Sequence, residues 1–427
     1  MRAMSLRRWA RLAGALAFSL SACTPRAATP SPTASVSPPP IIPSTLAPPS
    51  ATPPPTVITV WLPPFQAPDP TSESGALLQE RLAAYEVAHP RVKLVVRTKN
   101  QEGSSGLLET LRLASAAAPA ALPDLISLRA GDLAAAAEEG AILIYPALLP
   151  APEPGSWYGF ALEASQIDGT RYGVPSSSQT DVLVYDRTVL ARAPSSWSDV
   201  LGSPAPFLFP AADSQAAFTL AQYLALDGQL EQPGGSPTID PAALEEVLKF
   251  YGSAYNAGTL PLISRQYQNS VQTWAAFEEH RATSAVAPLE GWMTNSTAAA
   301  AAGALPTRDG SGIALTTTWS WGVVTRDAER QAMVIDLIEW LSESAFLGPW
   351  THALGTLPPN SAALEAWPQG AATVLANQLV LIARPMPFGE VIAAVGPAVL
   401  KAVDAVLSGE LAPQAAALLA STEVAAP

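Results

Sequence analysis

The sequence predicts an α/β fold, and three observations support that prediction. The chain has 427 residues, of which 48% are hydrophobic and only 14% charged, so it contains enough apolar material for a large core. From residue 57 onward, short runs of β-branched and aromatic residues alternate with longer segments of helical periodicity. This alternation is typical of a largely parallel sheet covered by helices. The length favours two or three domains.

The elements of the first half follow one another in alternation. Residues 57–61 (VITVW) are β-branched and aromatic and end before Pro63 and Pro64, which favours a buried strand. The same patterns predict helices at 75–88, 107–118 and 132–139, and strands or extended segments at 92–96, 123–128, 142–144 and 174–185.

The second half is predicted to be mostly helical. Apolar residues recur at helical spacing in five segments, at 215–226, 241–257, 271–280, 330–342 and 391–408. Two short strands are predicted, at 283–288 and 320–325. We interpret the alanine-rich run at 298–304 as a helix end or a loop.

The amino-terminal segment has the pattern of an export signal. Four arginines at positions 2, 7, 8 and 11 precede the apolar segment 12–20, which is shorter than the roughly 20 residues of a membrane-spanning helix. The following Leu-Ser-Ala-Cys run at 20–23 resembles a bacterial lipobox, and Cys23 is the only cysteine of the chain. We therefore expect residues 1–22 to be a lipoprotein signal peptide and Cys23 to be the lipidation site. The alternative is an ordinary signal peptide with a chance cysteine.

Residues 23–56 are predicted to be a tether. Between residues 24 and 56 the segment consists almost entirely of proline, serine, threonine and alanine. Such a composition offers little to bury and favours extended polyproline II structure. At roughly 3.1 Å per residue the segment reaches about 100 Å at most, which suits a spacer between a membrane and a globular body.

Charge and composition exclude several classes of function. The net charge of −13 argues against nucleic acid or an anionic lipid surface as an electrostatic partner. One cysteine and three histidines leave no disulfide framework and little material for metal or histidine chemistry. The sequence has no phosphate-binding loop, zinc-protease or serine-hydrolase motif. We predict no catalytic residue, no metal and no cofactor.

Eight short motifs occur in the order found in one known family. The chain resembles the extracellular solute-binding proteins of ABC importers, specifically the large maltose and sugar-binding branch. The matching segments are VITVW (57–61), YEVAHPRVKL (85–94), PDLI (123–126), DGTRYGVP (168–175) with VLVYDR (182–187), PSSWSDV (194–200), AFEEHRA (276–282), EGW (290–292) and LSGELAP (407–413). The sequence departs from the family pattern at Asp186 and Arg187, which replace Asn and Lys, and at His280, which replaces a glycine.

This resemblance implies a two-lobe periplasmic-binding-protein type II fold, with lobes joined by crossing hinge strands. The expected division is 57–176 and 288–318 for lobe I, and 177–287 and 319–427 for lobe II. Crossings are expected near 175–179, 286–288 and 318–322. The implied protein is a monomer, lipid-anchored on the extracytoplasmic face of the cell membrane, that closes on a solute and delivers it to an ABC permease. Apart from the lipid anchor, no membrane contact and no nucleic acid are expected.

Candidate ligand-binding residues combine aromatic faces with hydrogen-bonding groups, as sugar recognition requires. They follow predicted strands at the carboxyl edge of the sheet, or lie in the crossing segments. Trp292 also matches the position of a sugar-stacking tryptophan in the family, and Trp319 is preferred over Trp321, which points to the opposite strand face. The full set is Trp61, Phe65, Arg129, Asp132, Ser177, Gln179, Thr180, Ser214, Gln215, Glu290, Trp292 and Trp319.

The predicted function is high-affinity binding of a small solute, with a mono- or oligosaccharide preferred. Glycerol phosphate is an alternative that would need more Arg and Lys in the cleft. A polyamine is another, which the acidic charge keeps open. A glycosidase, which needs only two carboxylates, and a passive surface lipoprotein are less favoured.

Overall fold

A mixed β-sheet extends through the computed structural model and carries helices on its faces. The structure describes residues 54–143, 156–203, 206–232 and 235–426. The predicted signal peptide, Cys23, residues 23–53 of the tether and residue 144 lie outside this part of the chain. Within it, no helix is both long enough and apolar enough to cross a membrane.

The strands are short except for two. In chain order they are β1 (Thr56–Leu62), β2 (Val92–Thr98), β3 (Leu125–Arg129), β4 (Gln166–Ile167), β5 (Thr170–Arg171), β6 (Val174–Asp186), β7 (Phe207–Leu208), β8 (Ser284–Pro288), β9 (Ala300–Gly303), β10 (Ala314–Val323) and β11 (Ala383–Pro385).

Helices pack against the strands of the sheet. They are α1 (Glu73–Ala88), α2 (Leu107–Ala117), α3 (Ala130–Glu138), α4 (Gly159–Glu163), α5 (Trp197–Leu201), α6 (Ala217–Leu224), α7 (Pro241–Asn256), α8 (Ser270–Glu278), α9 (Leu289–Asn295), α10 (Ala328–Ser342), α11 (Ser344–Leu354), α12 (Ser361–Glu365), α13 (Ala371–Ile382), α14 (Gly389–Leu407) and α15 (Pro413–Ala425). Short 3₁₀ turns lie at Pro64–Gln66, Pro119–Ala121 and Leu262–Gln266.

Side-chain caps fix where several helices begin. The Ser72 hydroxyl accepts from the backbone N–H of Gly75 at the start of α1. Asp240 caps α7, whose first residue, Pro241, needs no backbone donor. Asn269 caps α8 by accepting from the Gln272 N–H. Each cap satisfies a donor that the first helical turn leaves unpaired.

The strand order of the main sheet is β2-β1-β3-β10-β6-β8-β7. The first three strands are parallel, and β7 is parallel to β8. β10 runs antiparallel to both β3 and β6, and β6 runs antiparallel to β8. β9 and β11 pair with β6 and β10 outside this order. The sheet is therefore mixed rather than largely parallel, because the two long strands run against their neighbours.

Each of these long strands, β6 and β10, contributes to more than one hydrophobic core. Val174, at the start of β6, and Trp321, near the end of β10, pack with β1, α1, α10 and α11. Val182 in β6 and Ala314 in β10 pack instead with α8, α9 and α13. The long strands therefore cross from one core to the other.

The segments on either side of β10 pack into different hydrophobic cores. Residues 289–315 contribute to the cores of β6, β8 and the later helices, whereas 321–354 pack with β1 and α1. The second half of β10 pairs with β3. Because of this pairing, the helices that follow β10 pack into the core that contains β1 and α1. The exact lobe boundaries remain a prediction.

The alanine run forms a strand, not a helix end or loop. Residues Ala300–Gly303 form β9, which pairs antiparallel with Leu183–Asp186 of β6. The available edge of β6 outweighs the helical preference of alanine here. β10 also begins at Ala314, six residues before the predicted strand at 320–325.

Candidate functional site

A pocket of about 280 Å³ lies where the crossing strands β6 and β10 meet the helices α6, α8 and α9. Its walls come from β6, β8, β10, α6, α8 and α9, so segments far apart in the sequence converge on it. The lining residues are Gln179, Thr180, Asp181, Gln215, Ala217, Phe218, Ala221, Ser270, Val271, Pro288, Glu290, Leu305, Leu315, Thr317, Gly355 and Met386.

The pocket combines two carboxylates, two amides and an apolar wall. Burial raises the pKa of Asp181 to about 6, a hydrogen bond with Ser270 opposes this rise, and the nearby charge of Asp213 adds to it. Burial also raises the pKa of Glu290. Phe218, Leu305 and Leu315 supply apolar surface. The described lining residues include no lysine or arginine, so the pocket is acidic and rich in hydrogen-bond acceptors.

Asp213 shapes the loop that brings Gln215 to the pocket. Its carboxylate accepts from the backbone N–H of Gln215 at 3.0 Å and of Ala217 at 2.8 Å. Between them Ala216 takes a left-handed conformation with φ of 50°, which turns the chain into α6. The loop therefore has a defined shape before any ligand binds.

Four predicted site residues line this pocket together: Gln179, Thr180, Gln215 and Glu290. These four side chains are not equally available to a ligand, because the Thr180 hydroxyl already donates its hydrogen bond to the Leu315 carbonyl at 2.8 Å. Gln215 and Glu290 are exposed, and Gln179 is half-buried. Their assignment as ligand-binding residues remains a prediction.

The three predicted tryptophans lie in hydrophobic cores and are not among the lining residues. Trp61 is 2% exposed, Trp292 7% and Trp319 1%. Trp319 is nevertheless connected to the pocket, because its indole Nε1 donates to the Gln179 side-chain oxygen at 3.0 Å. In this conformation none of the three presents an open ring face for stacking, and the predicted stacking role remains a prediction.

The other five predicted residues lie outside the pocket lining. Phe65 packs edge-on against Trp319, with ring centroids 5.2 Å apart. Ser177 is fully buried and its hydroxyl accepts from the Gln66 side-chain amide at 3.3 Å. Arg129 and Asp132 form an ion pair at 2.9 Å. Ser214 is exposed.

The sequence reasoning missed Asp181, Ser270, Thr317 and Met386 as pocket residues. Asp181 carried a usable signal, because a carboxylate directly preceding the apolar run Val182–Val184 is unusual in a buried strand. The others depend on how distant segments pack, which local patterns do not reveal. No group of three or more His, Cys, Asp or Glu in the described part of the chain is arranged to hold a metal ion.

Comparison with solved structures finds the same fold in several bacterial proteins. The sugar-binding protein MalE from Xanthomonas citri matches with a TM-score of 0.72 at 17% identity, over 86% of this chain and 96% of its own. The cyclic alpha-maltosyl-1,6-maltose binding protein from Arthrobacter globiformis gives 0.72 at 18% identity, over 87% and 98%. Maltose-bound MalE3 from T. maritima gives 0.68 at 16% identity, over 86% and 99%. At these identities the likeness concerns the fold, and it confirms the predicted two-lobe α/β class.

Sequence comparison identifies the family. A search of curated proteins gave no significant match. The family model described as bacterial extracellular solute-binding protein matches residues 80–376, well over half of the chain. This protein therefore belongs to the bacterial extracellular solute-binding proteins.

Proposed function

We propose that this protein binds a mono- or oligosaccharide in the pocket beside its crossing strands β6 and β10 and delivers it to an ABC permease. The observation that carries the proposal is the pocket lining, whose described residues combine amides and carboxylates with apolar surface and include no lysine or arginine. Sugar hydroxyls need acceptors such as Asp181 and Glu290, and sugar C–H faces need apolar contact such as Phe218. The structural neighbours whose names include sugars support the same ligand class.

The lining disfavours one alternative ligand and leaves another to be tested. Glycerol phosphate carries a dianionic group, for which the described lining residues offer no cationic partner. A polyamine would match the two carboxylates, but among the described lining residues only Phe218 is aromatic. Spermidine is therefore the informative control ligand.

The remaining parts of the proposal concern the whole protein. We infer that it acts as a binding protein without catalysis, since its sequence has no catalytic motif and its family binds solutes. We also infer lipid attachment through Cys23, an extracytoplasmic location and a monomeric state. The lipobox-like run at 20–23 supports the anchor.

A thermal-shift screen tests the ligand. The purified Cys23→Ser protein would be heated with glucose, maltose, maltotriose, trehalose and cellobiose, and with glycerol 3-phosphate and spermidine as controls. A ligand at about 100 times its Kd adds roughly 2.7 kcal/mol to the free energy of unfolding, which raises the Tm of a body this large by a few degrees. We expect a rise with at least one sugar and none with glycerol 3-phosphate.

Two matched variants localise the effect. Glu290→Ala should remove most of the sugar-induced shift, because it deletes an acceptor of the pocket. Glu80→Ala removes an exposed carboxylate of α1 and should leave the shift intact. A shift with spermidine alone would replace the sugar by a polyamine, and no shift with any sugar would refute the proposal.

A further inference from the structure

One hydrogen bond connects a buried tryptophan to the pocket. Trp319 in β10 donates from its indole Nε1 to the side-chain oxygen Oε1 of Gln179 in β6, at 3.0 Å. The Trp319 ring is 1% exposed and packs in the core that includes Trp61 and Leu128. The backbone beside it is held as well, because the Ser176 hydroxyl donates to the Trp319 carbonyl at 3.0 Å.

The chemistry of the two groups fixes the orientation of the amide. An indole N–H can only donate a hydrogen bond, so the glutamine must present its oxygen to Trp319. The amide nitrogen Nε2 of Gln179 takes no part in this bond, and it has no hydrogen-bond acceptor among the described residues. Since Gln179 lines the pocket, this NH₂ group is a donor available to a ligand.

We propose that Trp319 is a positioning residue, which holds the Gln179 amide so that the pocket presents a hydrogen-bond donor at this point. The inference rests on the proposed function and specifies it further. The ligand must offer an acceptor, such as a ring or hydroxyl oxygen, toward Gln179, and its hydroxyl donors toward Asp181 and Glu290. This arrangement orients a sugar in the pocket. It also changes the expected role of Trp319, from stacking on the ligand to directing another side chain.

Trp321 provides a matched control on the same strand. It is also 1% exposed and packs against Trp350, with ring centroids 6.3 Å apart. Its Nε1 has no hydrogen-bond partner among the described residues. Replacing either tryptophan by phenylalanine removes the same volume from a buried site, but only Trp319→Phe removes a bond to the pocket.

The first experiment needs no ligand. Indole ¹H–¹⁵N spectra would be recorded for the unaltered protein, for Gln179→Leu and for the two Trp→Phe variants. Each Trp→Phe variant lacks the indole signal of the replaced tryptophan, and this missing signal identifies Trp319 or Trp321. We expect Gln179→Leu to move the Trp319 signal toward that of an unbonded indole and to leave the Trp321 signal in place. An unmoved Trp319 signal would overturn the positioning role.

The second experiment measures binding of maltotriose by calorimetry. We expect Trp319→Phe to weaken binding roughly fivefold, the scale of one hydrogen bond, and Trp321→Phe to leave Kd within about twofold. Gln179→Glu keeps an oxygen for Trp319 but loses the NH₂ donor, so it should weaken binding at least about tenfold. Equal effects of the two Trp→Phe variants, or unchanged binding by Gln179→Glu, would overturn the inference.

The two experiments separate this inference from the proposed function. If neither maltotriose nor any other sugar of the panel binds the unaltered protein, the sugar-binding proposal fails, and the ligand part of the inference fails with it. The Trp319–Gln179 bond is decided independently by the indole spectra. If maltotriose binds but the variants behave alike, only the positioning role fails.

Discussion

Asp181 is a carboxylate that directly precedes the buried apolar stretch of β6. Burial raises its pKa to about 6. The hydrogen bond with Ser270 opposes this rise, and the nearby charge of Asp213 adds to it. Because the folded protein holds this proton more tightly than the unfolded chain, ionised Asp181 destabilises the fold above about pH 6. The penalty disappears as the pH falls from about 6 toward 3.8, the unfolded value. We therefore expect Asp181→Asn to raise the free energy of unfolding at pH 8 by on the order of 2 kcal/mol, and to have little effect near pH 4.

Chemical denaturation from pH 4 to 8 would measure this difference. Asp186, on the same strand, is the control with the opposite sign, because hydrogen bonds from the side chain and backbone of Thr188 lower its pKa. Asp186→Asn should lose stability across the measured range from pH 4 to 8, because the lowered pKa of Asp186 lies below this range. A pH-independent effect of Asp181→Asn would contradict the raised pKa of this carboxylate.

Residue type alone predicted some pocket residues and not others. Polar residues in a crossing strand are expected to line a pocket or to join a buried hydrogen-bond network. Gln179 and Thr180 line the pocket. Tryptophan is ambiguous, because the same side chain suits a core and a sugar site equally well. Trp61 and Trp292 fill cores, and no property of the sequence around them distinguishes the two uses.

At the scale of elements, the end of α11 lies directly against Glu290 of α9. Gly355 ends the helix with φ of 66°, and a Cβ added there would lie 2.5 Å from the Glu290 Cα. Gly355→Ala therefore imposes both a left-handed alanine and a collision with a pocket residue. We expect a loss of stability of about 2–5 kcal/mol, since a left-handed alanine costs roughly 1–2 kcal/mol and overpacking roughly 1–3 kcal/mol, together with weaker sugar binding as Glu290 is displaced.

Gly140 allows the two contributions to be separated. It has nearly the same φ, 68°, with no atom within 4 Å of an added Cβ. Gly140→Ala should cost only about 1–2 kcal/mol and leave sugar binding unchanged. Urea denaturation and calorimetry would give both quantities, and equal losses of stability for the two variants would show that the contact with Glu290 is not tight.

Local patterns located most elements, because helix and strand periodicity survives in the sequence wherever one face is buried. The prediction at 241–257 agrees with α7 at Pro241–Asn256, and that at 330–342 lies within α10 at Ala328–Ser342. Two of the failures concern strand pairing. The alanine run became β9 only because an edge of β6 was available, and β10 was longer than its apolar pattern because it pairs with β3 and β6 in turn.

For the whole molecule, too, local patterns predict the class of fold but not how distant segments pack. Alternating strands and helices, with motifs in a known order, were sufficient for the two-lobe class. The assignment of segments to lobes depends on which core each end of β10 enters, which is a tertiary property. Val323 packs with β1 and Ala314 with α8, although only nine positions separate them on one strand. Composition and periodicity do not encode that choice.

Attachment of the whole molecule to a membrane is expected to depend on Cys23. A net charge of −13 gives the protein no electrostatic attraction to an anionic lipid surface. The full chain, expressed in a bacterium that processes lipoproteins, should therefore sediment with membranes and resist a high-salt wash, whereas Cys23→Ser should appear in the soluble extracytoplasmic fraction. Cys23→Ser should keep the sugar-induced rise in Tm, because the pocket lies far along the chain in 179–386. A Cys23→Ser protein that still sediments with membranes would refute the lipid anchor, and release of the unaltered protein by salt would indicate a peripheral electrostatic attachment instead.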